Sequence, residues 1–155
     1  LTDDVTCLQA LEISLTELEQ APLEKWKALG DKTYAPGKWS VKDMLQHMID
    51  TERVFVYRIT AIARGDKQQM IPYDEEMFGQ NALANRRNLT ELFEELILVR
   101  RGTLMLLSSM TPEMLLQSGY GFNGTEYSPL SLFFMLAGHQ RWHFKVLAER
   151  YYSLV

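Results

Sequence analysis

From Val41 to Arg64 no proline or glycine interrupts the chain, and Val41, Met44, Leu45, Met48, Phe55, Ile59 and Ile62 recur with a helical period. At 100° per residue these side chains gather on one face. Ser40 supplies an N-cap, with Asp43 three residues on in the place that glutamate takes in a capping box. Gly65 and Asp66 end the segment. A helix of this length with one apolar face has to bury that face against something else.

Three more segments of the same kind supply the partner. The first runs from about Asp4 to Gln20, with Leu8, Leu11, Ile13, Leu15 and Leu18 as its stripe. Another spans Leu89 to Met110 through Leu92, Phe93, Leu96, Leu98, Val99, Leu104, Leu106 and Leu107. It carries Gly102 in its interior, which costs about 1 kcal/mol relative to alanine. The last starts at Ser128–Pro129 and reaches about Tyr152. Shorter pieces, "PLEKWKAL" and "TPEML", add a helical turn or two; Thr111 caps the second and Pro112 takes its first position. Residues 65–88 lose the period, and Pro72 and Gly79 break it, so this stretch reads as a long connection with one helical turn in "DEEMFGQNALA". Connections this long in a compact domain are often functional, for instance as lids. "QSGYGFNGTEYSP" is turn-rich and suits a hairpin-like loop. The expectation is an all-α, single-domain four-helix bundle over residues 1–155 with long connections.

Composition narrows the function classes. The formal net charge is −4, and Arg86, Arg87, Arg100 and Arg101 are interspersed with carboxylates, which argues against nucleic-acid binding. With Cys7 as the single cysteine, no intrachain disulfide can form. The longest apolar run, "LSLFFMLAG", falls far short of the ~20 residues a membrane span needs. "LTDDVTCLQALEI" shows no basic leader, so the cytoplasm is the expected compartment.

The chain has three histidines. His139 and His143 stand four apart in "GHQRWHF" and share a helix face with Leu132, Phe133, Leu136, Phe144 and Leu147. His47 falls at the edge of the apolar face in "VKDMLQHMID". A His-x3-His pair can offer two nitrogens to one ion, and His47 is the remaining imidazole that could join them. Taken alone, the spacing is more simply that of partly buried polar residues, since it arises often by accident. Gln140 stands where a zincin has its glutamate, so this is no H-E-x-x-H protease motif.

Three stretches in order carry a resemblance. "GKWSVKDMLQHMIDTERVFVYRI", "YDEEMFGQNALANRRNLTELFEELILVRRGTLMLLSSM" and "SPLSLFFMLAGHQRWHFKVLAERY" resemble the DinB-like domain superfamily over about residues 5–152. The resemblance implies a DinB/YfiT-like bundle with one divalent metal on three histidines, which by position are His47, His139 and His143. It also implies a small-molecule substrate, thiol S-transfer with a low-molecular-weight thiol in some relatives, and frequent dimers. Three neutral imidazoles leave open positions on the ion, as in catalytic sites, and suit Zn or Ni without choosing between them. A metal-dependent transferase, with hydrolysis as second choice, is the leading expectation. A non-catalytic metal- or ligand-binding bundle and a dimerising interaction module are its rivals.

Further candidates surround this set. Asp50 is placed to orient an imidazole N–H. Glu52 falls near the apolar centre of its helix and calls for a partner, Arg100 or Arg101, most simply as a structural ion pair. Tyr73, Asp74, Tyr120 and Tyr127 are loop residues within reach of a substrate or simply solvated. Trp39 reads as a staple before the Ser40 cap, and Trp142 as packing on a neighbouring helix or in a dimer interface.

Overall fold

The computed structural model describes residues 5–155. The expected first helical residue, Asp4, lies outside them. Four long helices form the bundle: α1 (Cys7–Glu19), α3 (Val41–Ala63), α5 (Leu89–Ser108) and α7 (Pro129–Val146). Three short ones join them: α2 (Leu23–Leu29), α4 (Glu75–Ala82) and α6 (Pro112–Leu115). Local chemistry explains the starts. Thr6 with Gln9, Ser40 with Asp43, and Ser128 with Ser131 each close a reciprocal cap, while Asn88 caps α5. After Val146 the chain keeps coiling in a π turn and a 3-10 turn as far as Leu154, so the last segment ends close to its expected limit.

The order of the long helices around the bundle is not their order in the chain. α1 packs on α5 and α7, and α3 packs on the same two, which puts α1 and α3 on opposite corners. The links from α1 to α3 and from α5 to α7 therefore cross the bundle diagonally. The crossing makes α3 and α7 direct neighbours.

The core has two apolar halves. Trp26, Leu45, Ile49, Leu92, Leu96 and Leu147 fill one, and Leu11, Ile59, Ile62, Phe133 and Leu136 the other. A buried polar layer separates them. Arg100 Nε and Nη2 donate to both oxygens of Glu52 at 2.9 and 3.0 Å. Arg100 also donates to Ser14, and Thr103 Oγ1 donates to Glu52 at 2.6 Å. Gln140 Nε2 donates to the Ser14 carbonyl at 2.7 Å. Each of the four long helices contributes to this layer, and Arg100 and Glu52 are each about 2% exposed at the side chain. Arg101, the alternative partner for Glu52, reaches Glu19 instead.

The 65–88 connection is more ordered than the sequence suggests. α4 makes two turns, capped by Asp74, whose carboxylate accepts from Met77 N at 3.0 Å. Gly79 lies inside α4 rather than ending it, and it is the point of contact with Trp39: a Cβ there would sit 3.3 Å from the ring. The turn-rich stretch does form a hairpin, β1 (Gly119–Tyr120) antiparallel to β2 (Glu126–Tyr127). It touches the 65–88 connection, where Met70 N donates to Tyr120 O at 2.8 Å. Among the described residues, no helix is long and apolar enough to cross a membrane.

Candidate metal centre

His47 lies two turns into α3, and His139 and His143 lie one turn apart on α7, so the α3–α7 pairing brings all three together. His139 Nε2 is 2.9 Å from His47 Nε2 and 3.0 Å from His143 Nε2. The rings meet edge to face with centroids 4.5 to 4.9 Å apart. His47 is buried, and the other two are half-buried. The Trp39 ring stands 4.7 Å from the His47 ring and walls off that side.

The contacts at His139 Nε2 test whether this cluster suits a metal. A neutral imidazole nitrogen carries either one proton or one lone pair, never both. It can make one good N–H···N hydrogen bond, but here two ring nitrogens approach it. Hydrogen bonding leaves one of them unmatched, whereas a cation accepts all three lone pairs at once. The protonation state agrees. Burial lowers His47 to about 4, helped by His143. Burial lowers His139 to about 3, with His143, His47 and Arg100 adding to it. Burial alone lowers His143 to about 4. All three are neutral ligands at physiological pH, and they are positioned to bind a metal ion.

The other candidates fall in several places. Asp50 accepts from Gln46 Nε2 at 2.9 Å, and burial raises its pKa. Gln46 in turn accepts from Arg87 at 2.8 Å. Glu52 belongs to the mid-bundle layer. Among the described residues, neither carboxylate is hydrogen-bonded to an imidazole. Asp74 caps α4, and Tyr120 is exposed on β1. Tyr73 and Tyr127 line a cleft, while Trp142 is 61% exposed at the edge of another.

These two clefts flank the triad along the α3–α7 groove. One, of about 300 Å³, is bounded by His143, Trp39, Met44, Val146, Trp142 and Glu76. The other, of about 370 Å³, lies one to two turns further on, between Phe55 of α3 and Met135 of α7. Beside it Thr51 Oγ1 and Tyr73 Oη share a hydrogen bond of 2.5 Å. The sequence reading missed Thr51, although its position four residues after His47 puts it on the same face. It also missed Trp39 as a wall of the site, because nothing local reveals that α4 and His47 meet on its ring.

A sequence model described as the DinB superfamily matches residues 10–147. A similar solved structure is described as "YfiT from Bacillus subtilis is a probable metal-dependent hydrolase with an unusual four-helix bundle topology". It superposes with a TM-score of 0.77 at 18% identity, covering 97% of this chain and 91% of that one. No curated protein matches the chain.

Proposed function

The chain belongs to the DinB superfamily, and on that premise we propose that it is a divalent-metal-dependent enzyme acting on small molecules, with thiol S-transfer as its chemistry. His47, His139 and His143 would hold the ion. The double approach of nitrogen atoms at His139 Nε2 carries the reading, since a cation resolves it and a hydrogen bond does not. Imidazole donors suit Zn and Ni, the two metals we favour. When bound, such an ion lowers the pKa of a coordinated thiol or water and so supplies a nucleophile at neutral pH.

The chain's own residues serve the rest. Trp39 shields His47 from water and fixes the position of α4 beside the site. Thr51 and Tyr73 hold a protic pair one helical turn from His47, able to donate a hydrogen bond to a reacting group. The clefts on either side of the triad favour a reaction that brings together two organic partners, the thiol and its electrophile. Hydrolysis is the second reading, supported by the description of YfiT as a probable metal-dependent hydrolase. A homodimer, suggested by the resemblance, and a cytoplasmic setting complete the proposal.

The experiment is to load tag-free protein with Zn or Ni and follow thiol loss against an electrophile panel, beside a panel of ester and amide substrates. Metal-dependent thiol consumption that disappears in His139→Ala supports transfer. Turnover of the esters or amides alone supports hydrolysis. Metal bound without turnover of either panel leaves a binding module and removes the enzyme reading.

A further inference from the structure

Arg58 is placed differently from most arginines of the bundle. Arg53, Arg87, Arg100, Arg101 and Arg141 each pair with a glutamate. Arg58 is half-buried and, among the described residues, pairs with no carboxylate. Its guanidinium lies 5.7 Å from the Phe55 ring centre and 5.8 Å from that of Tyr73. One nitrogen donates to Ile71 O at 2.7 Å, and this holds the group in place. A guanidinium has five N–H donors, so most of its capacity is left for a ligand.

The cleft it borders holds about 370 Å³. Apart from Arg58, Glu75 and Asn123, the side chains lining it are apolar or tyrosine, with Phe55, Met70, Tyr73, Phe122, Tyr127 and Met135 prominent. Glu75 is the carboxylate in the lining, and the one hydrogen bond of the Arg58 side chain among the described residues goes to Ile71 O instead. The cleft leads toward the histidines. Met135 precedes His139 by one turn, about 6 Å of rise, and Phe55 follows His47 by two, about 12 Å. Arg58 is eleven residues beyond His47, about 16 Å along the same helix. A lone cation at the far end of an apolar groove suits a single acid group on an elongated body. A polyphosphate would need several cations and fewer rings.

We propose that this cleft binds an elongated organic carboxylate, its acid held by Arg58 and its apolar body running between Phe55, Tyr73 and Met135 toward the triad. Arg58 is thereby a specificity-determining residue. Only the direction in which the ligand points rests on the metal-enzyme reading; the Arg58 contact stands apart from it.

The test is calorimetric titration of metal-free protein with 4-phenylbutyrate and with its uncharged amide, on wild type, Arg58→Met, Arg58→Lys and His139→Ala. Methionine keeps an apolar stem over Phe55, and melting curves confirm that each variant folds. Wild type is expected to bind the acid about tenfold more tightly than the amide, the scale of one charge-assisted contact. Arg58→Met should erase that preference, Arg58→Lys should keep part of it, and His139→Ala should keep all of it. Equal binding of acid and amide, a preference that survives Arg58→Met, loss of acid binding in His139→Ala, or no saturable binding of the acid would each overturn the proposal. Failure of the metal reading shows instead in the metal content of wild type and leaves this comparison intact.

Discussion

His47 Nε2 and His139 Nε2 lie 2.9 Å apart, although 92 residues separate them in the chain. Such an approach holds only if the fold presses α3 against α7 at this level. The buried Arg100–Glu52 pair ties α5 to α3 close to the same level.

The triad predicts a metal-dependent gain in stability. Zn or Ni should stabilise the metal-free protein, by about 2.7 kcal/mol when the free ion is at a hundredfold its Kd, and raise its melting temperature accordingly. His47→Ala should abolish the rise. A gain of equal size in the variant would place the ion elsewhere.

The metal-free protein should lose stability on mild acidification. The folded-state pKa values are about 4, 3 and 4 for His47, His139 and His143, below the ordinary value of about 6.5. As pH falls below 6.5 the unfolded chain takes up protons that the folded chain refuses. The stabilisation is thus complete above about 6.5 and drains away toward about 4. Urea midpoints for chelated protein at pH 7.5 and 5.0 check this, and equal midpoints would sink it.

Breaking the mid-bundle pair should be costly. Glu52→Gln or Arg100→Met leaves one buried charge without its partner, a loss of about 3–5 kcal/mol. The double variant should lose much less than the sum, since no lone charge remains. Chemical denaturation of the four proteins supplies the cycle, and additive losses would mean that the two groups are not coupled.

Cys7 should be unreactive in the folded state. It is 7% exposed, and burial pushes its thiol up to about 11. At pH 8 a disulfide reagent should modify it only as the protein unfolds, so the rate should follow urea concentration. Rapid labelling without denaturant would contradict this placement.

Much of the fold was legible because its signals are local. The Ser40–Asp43 capping box and the Ser128 cap followed by Pro129 mark helix starts within a few residues, and the apolar stripes mark helix faces. Gly79 misled for the same reason. Read locally, it is a helix breaker, yet α4 runs through it, and its lack of a side chain serves the close approach of Trp39 instead. Arg58 gave no sign at all, since whether an arginine has a partner depends on residues from other elements.

The sequence by itself determined four amphipathic helices and the shared face of His139 and His143. Both follow from a period of 3.6 residues, which is fixed within one or two turns. It also required a partner for Glu52. Only the tertiary structure chose Arg100 over Arg101, set α1 and α3 on opposite corners, and carried His47 to the other two histidines. Neighbouring residues on a helix point about 100° apart, so which of them meets a given side chain is decided by how whole helices pack. That packing is settled between residues far apart in the chain, where local pattern carries no information.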